Sequence, residues 1–196
     1  MAADQYRSFA ELQTAERELI DYRIVAIDRG SPVTIIAPHG GRIEPPTSRV
    51  ATLLAAEVFN LYCFEGLRPD LEHHELHITS HNFDEPRCCA LVGASDIVVA
   101  LHGQQDRDRP HCVDIGGLDR VLRDRMAYEL ERDGFEARTE GHLFPATGGE
   151  NICNRGRRGQ GVQLELPRSL RDRLRTNAQA MAGFVEAMRR AIEANA

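Results

Sequence analysis

Two of the most apolar runs in the 196-residue chain, TIIAP and VVAL, end in histidine followed by glycine, at His39-Gly40-Gly41 and His102-Gly103. A polar imidazole at the end of a buried strand, beside glycines that let a ligand approach, is where an α/β enzyme places a site. Glu44 follows His39 across the Gly-Gly turn, so the loop can fold back and bring imidazole and carboxylate to one ion. Two histidines and a glutamate with an open fourth position form the ligand set of catalytic zinc in metallopeptidases. Either histidine alone is equally well explained as a buried, hydrogen-bonded side chain. The H-x4-E spacing is a weak signal beside H-x-x-E or H-E-x-x-H.

Glu165 stands in the apolar run VQLELP. A carboxylate there either pairs with something, serves as a base with a raised pKa, or alternates outward with Gln163. The Gly-rich segment ATGGENICNRGRRGQG offers Asn151, Asn154 and Arg155 as contacts for a substrate carboxylate, which guanidinium meets in a two-point fork. Arg157 and Arg158 fit a solvated loop equally well. Arg42 is a candidate to steady a developing oxyanion, or a surface residue. His81 is a candidate substrate contact. His73, His74, His111 and His142 are not expected to be ligands.

The elements that must position these groups alternate. SFAELQTAEREL spaces its apolar residues as a short amphipathic helix with Ser8 as cap, giving an N-terminal helix within residues 1–20. DYRIVAID and PVTIIAP read as strands, then a helix capped near Thr47 or Ser48, then strands at LYCFEG and LHITS. A helix over 85–93, strands at SDIVVALHG and HCVDIGG, an amphipathic helix from Leu118 and a strand at VQLELP follow. One long helix over 169–195 closes the chain. The pattern predicts an α/β fold, a single domain over 1–196 with a sheet flanked by helices and no internal repeat.

Composition excludes several classes. All 24 basic residues are arginine, which rules out a Schiff-base or P-loop lysine. Five cysteines without a CxxC pair argue against a disulfide framework or a cysteine zinc knuckle. The net charge of −6 and the lack of a basic arm disfavour nucleic acid, and no apolar run reaches the roughly 20 residues of a membrane span. The polar N-terminus predicts a cytoplasmic protein.

The phrases IIAPHGGRIEPPTSRVA, YCFEGL, LHITSHNFDEPRC, DIVVALHG, GGLD and NICNRGRRGQGVQLELPRSLR, in that order, resemble the poly-γ-glutamate hydrolase family, phage- and bacterium-associated zinc enzymes related to the carboxypeptidase A fold. The resemblance spans about residues 22–175. It implies a mixed sheet of zinc carboxypeptidase type, one zinc ion, and hydrolysis of amide bonds between γ-linked glutamates. It places the metal ligands at His39, Glu44 and His102 and the base at Glu165. Poly-γ-glutamate is extracellular, so a cytoplasmic enzyme would be released by lysis or act on another substrate. The rivals are a zinc deacylase or carboxypeptidase acting on small acidic N-acyl or γ-glutamyl substrates, and a non-catalytic polyanion-binding protein.

Overall fold

A computed structural model describes residues 4–68 and 75–195. His73 and His74 lie outside them. Seven strands form one mixed sheet: β1 (Tyr22–Ile27), β2 (Val33–Gly41), β3 (Asn60–Gly66), β4 (Ile97–Gln104), β5 (Cys112–Gly116), β6 (Glu136–Arg138) and β7 (Val162–Pro167), in the order β1-β3-β2-β4-β7-β5-β6. The central strands β3, β2, β4 and β7 run parallel, and β1 and β5 pair antiparallel on either side of that block. The helices are α1 (Phe9–Ala15), α2 (Thr47–Ala55), α3 (Pro86–Gly93), α4 (Arg120–Arg132), α5 (Arg168–Thr176) and α6 (Ala178–Glu193). This is the mixed α/β sheet flanked by helices that the element pattern predicts.

Strand periodicity sorts the core into two layers. Ile35, Val99, Leu101, Val113, Ile115, Leu164 and Leu166 pack under α2, α4, α5 and α6. Ile36, Val98, Ala100, Tyr62 and Phe64 face the other way, toward α1, α3 and the turn at Ile152–Asn154.

Four local expectations need correction. The run LHITS is not a strand: residues 77–79 cross the sheet end as irregular backbone, and the carbonyl of Ile78 accepts from a side chain instead of a ladder partner. The closing helix is two helices, because Asn177 takes an extended conformation and its side chain caps α6 by accepting from Ala180 N. α2 has Pro46 at its cap position, so Thr47 is already helical, and the Ser48 hydroxyl accepts from Gly41 N. α1 stops before Glu16, whose carboxylate is drawn off to Tyr6 and Arg68. The short β6 has no clear pattern in the sequence and forms because Glu136–Arg138 lies alongside β5.

Phe184 of α6 is fully buried and meets Phe135 edge to face at 5.4 Å between centroids. Phe184→Ala is expected to cost about 3–5 kcal/mol in denaturant unfolding, and the folded fraction should keep its activity because the helical layer lies on the far side of the sheet from His102.

Candidate metal centre and active-site cleft

Three adjacent strands bring polar groups onto the face of the sheet not occupied by α2, α4, α5 and α6. His102 of β4 pairs in register with Glu165 of β7, which in turn pairs with Asp114 of β5. Residues paired across a ladder point to the same side. Their neighbours Leu101, Leu164 and Ile115 point into the helical layer, so the alternation that builds the core also sets the three polar groups side by side.

β2 by simple alternation would aim His39 into the helical core with Ala37. Its register against β3 shifts between Ala37 and Gly40, and the resulting bulge turns the imidazole to the opposite face. There it packs against His102, His77 and Phe83.

The two imidazoles meet through the same nitrogen: His102 Nδ1 lies 3.0 Å from His39 Nδ1. Glu44 closes the group, with Oε1 3.4 Å from His39 Nδ1 and Oε2 4.0 Å from His102 Nδ1. The Ile78 carbonyl, 2.8 Å from His39 Nε2, can only accept. Nε2 therefore carries the hydrogen, and in the neutral ring the Nδ1 lone pair faces the other donors. Ligands at about 2.0–2.2 Å from one tetrahedral zinc lie roughly 3.3–3.6 Å apart. The observed spacings bracket that value, so the residues present fit such an ion.

Electrostatics here are tightly coupled. Burial and the neighbouring His39 push His102 down to about 3, favouring a neutral, ligand-ready ring. At His39 burial also acts against charge, but the Glu44 carboxylate outweighs it and the pKa ends above the ordinary value. At Glu44 burial would raise the pKa, yet the imidazoles, His39 foremost, hold it down to about 2.

Glu165 behaves in the opposite way. Burial, reinforced by the negative charges of Glu44 and Asp114, pushes its pKa well above the carboxylate range. It is held by a relay: Asn151 Nδ2 donates to Gln163 Oε1 at 2.9 Å, and Gln163 Nε2 donates to Glu165 Oε1 at 2.9 Å. Asp114 is in turn held by Gln104 and Arg138.

These groups open into a cleft of about 1310 Å³. Arg42, His81 and Asn151 line it, as do Arg107 and Arg168, which the motif reading passed over. Asn154 and Arg155 do not. The Asn154 amide donates to Ala146 O and Gly148 O and accepts from Leu118 N and Gly161 N. Arg155 is spent on the carbonyls of His81, Phe83 and Glu150. Both shape the loops that border the cleft instead of facing it. Arg157 lies near Asp96 on the surface.

The residue overlooked in sequence is His77. Its ring lies tilted by 37° against His39 at 3.9 Å between centroids, its Nδ1 is 2.6 Å from Asp4 Oδ1, and a ligand atom of His77 falls within 4.8 Å of those of His39 and Glu44. No short-range pattern in the run LHITS marks it.

A family model described as poly-gamma-glutamate hydrolase matches residues 6–187. The chain belongs to that family. Among its relatives, the UPF0714 protein YndL of Bacillus subtilis (strain 168) is 37% identical over 175 residues, covering 88% of this chain and 68% of YndL. The solved structure of a bacteriophage poly-gamma-glutamate hydrolase superposes with a TM-score of 0.93 at 28% identity, covering 98% of each chain. A zinc-free apo form of YndL superposes at 0.89 with 34% identity, covering 97% of this chain and 98% of that one. The chain is thus a hydrolase of this family.

A carboxyl group whose folded pKa is raised binds its proton more tightly in the native state, so stability is lost as pH rises from the ordinary carboxylate range, about 4.3, through the raised value. Without metal, Glu165→Gln should therefore melt at a higher temperature than the parent at neutral pH, and the gap should close below about pH 4. Equal melting temperatures at neutral pH in the metal-free state would show that the ionised carboxylate is well tolerated there.

Proposed function

We propose that the protein is a zinc-dependent hydrolase of γ-glutamyl amide bonds in poly-γ-glutamate, with the ion held by His39, Glu44 and His102. The observation that carries this reading is the convergence of His39 Nδ1, His102 Nδ1 and the Glu44 carboxylate beside a buried glutamate, inside a cleft of about 1310 Å³. The zinc-free description given to YndL supports the choice of metal. His77 is a further candidate ligand close by, since Asp4 engages its Nδ1 as a carboxylate commonly does behind a metal-ligating histidine and leaves Nε2 free among the described residues.

Bound zinc would supply Lewis acidity and lower the pKa of a coordinated water toward about 7. Glu165 takes the proton of the attacking water at the oxygen not bonded to Gln163, and returns it to the leaving amine nitrogen. Water is consumed, the amide C–N bond breaks, and a γ-carboxylate and an amine are released. Gln163 and Asn151 keep the Glu165 carboxylate in one orientation. Arg42 would steady the oxyanion, and Arg107 and Arg168, which line the same cleft, would receive α-carboxylates. His81 borders the same space.

The cleft exceeds the roughly 300–1,000 Å³ of a small-molecule pocket. That favours an extended polymer over a small N-acyl or γ-glutamyl substrate. A silent polyanion-binding protein would not need two ligand histidines, Glu44 and Glu165 held together, as they are here.

Elemental analysis should find one zinc per chain, lost in His102→Ala. Glu165→Gln should keep zinc and lose about 10²–10⁴-fold in the rate of polymer shortening followed by gel filtration. A chain that binds no metal would sink the mechanism. One that binds zinc but cleaves only short oligomers would identify a small-substrate deacylase. Cleavage should also slow with added salt, since the arginines on the cleft wall are exposed and screened.

A further inference from the structure

Arg171 of α5 is 5% exposed and, among the described residues, no carboxylate lies within hydrogen-bonding distance of it. Its three nitrogens donate to main-chain carbonyls: Nε to Leu166 O at 3.1 Å, Nη1 to Pro45 O at 2.6 Å and Nη2 to Gln104 O at 3.2 Å. Two of those carbonyls sit at the carboxyl ends of β7 and β4, the strands that carry Glu165 and His102. The third belongs to the residue directly after Glu44.

Gly103 makes room for this arrangement. A Cβ there would stand 2.7 Å from Arg171 Nε and 3.0 Å from Glu44 Cβ, so the space beside Gly103 is shared by the guanidinium and the glutamate. The same residue donates its N–H to Glu44 Oε2 at 2.7 Å. Glu44 is therefore held from the front by a strand amide and from behind through its own loop.

We propose that Arg171 is a positioning residue for the metal centre, clamping the loop that bears Glu44 onto the ends of β4 and β7 so that its carboxylate reaches His39 and His102. A guanidinium suits the task because its planar donors point in three fixed directions, which a single ammonium cannot reproduce. Its burial is unfavourable for the charge, as the downward push on its pKa by desolvation shows, and the nearby Glu44 carboxylate and the three carbonyl dipoles offset that cost.

This inference rests on zinc binding by His39, Glu44 and His102, and its test separates the two. Zinc affinity of the full chain, measured by chelator competition, should fall about 10–100-fold in Arg171→Met, the range typical of lost supporting contacts to metal ligands. Arg171→Lys should recover only part of it. Arg171→Gln, which keeps one donor without the three-way fork, should weaken zinc in the same way and serves if the methionine variant does not fold. Metal-free samples of each variant should still unfold cooperatively. Parent-like zinc affinity in Arg171→Met, or in Arg171→Gln where the methionine variant does not fold, overturns the proposal, whether accompanied by a raised KM for polymer, which would make Arg171 a substrate contact, or only by a lower melting temperature. A parent chain that binds no zinc would instead overturn the reading beneath it.

Discussion

Four ionisable side chains, His39, Glu44, His102 and Glu165, are gathered at one end of the parallel block of a mixed sheet, and burying them without compensation would cost more than a domain's net stability. Each is therefore given a partner. His39 has the Ile78 carbonyl, Glu44 the Gly103 amide, His102 the Ser80 hydroxyl at 3.3 Å, and Glu165 the Gln163 amide. Much of the surrounding architecture follows from that need. The irregular segment over residues 77–79 brings its carbonyl where a strand would have locked it in a ladder. The glycine after each histidine leaves room for the side chains that approach.

The two faces of the sheet divide the labour. One is filled by α2, α4, α5 and α6 over a continuous aliphatic layer, which holds the central strands in a fixed register. On the other, α1 and α3 cover only part of the sheet, and the remainder forms the floor of the cleft. Rigidity on one side thus gives the strands that carry the polar groups on the other a fixed frame. α5 belongs to both sides, since Leu170 and Leu174 enter the helical layer while Arg171 reaches around the strand ends.

The charge distribution reconciles an acidic protein with the polyanionic substrate proposed for it. Net charge is −6, yet Arg42, Arg107 and Arg168 stand on the cleft wall, and Arg107 lies 5.5 Å over the Phe144 ring. A γ-linked glutamate chain alternates methylene segments with α-carboxylates, and in that proposal the arginines would meet the carboxylates while Phe144 and the exposed Leu143 would meet the methylenes.

What could be read from the residues in order was whatever depends on local pattern. Apolar runs ending in His-Gly located His39 and His102, the run VQLELP located Glu165, and period-2 alternation marked most of the strands, because burial of a pleated strand imposes that alternation directly. Resemblance to a family then tied Glu44 to the histidines. The rest depended on contacts between segments far apart in the chain. The bulge after Ala37 that turns His39 out of the helical layer exists only against β3. The retreat of Asn154 and Arg155 from the cleft follows from carbonyls contributed by Phe83, His81 and the loop at 146–150. His77 and Arg171 looked like an ordinary strand residue and an ordinary helix residue. Their proximity to the site follows from where the chain end at Asp4 and the carbonyls of Pro45, Gln104 and Leu166 come to rest, and no short-range pattern encodes such long-range hydrogen bonds.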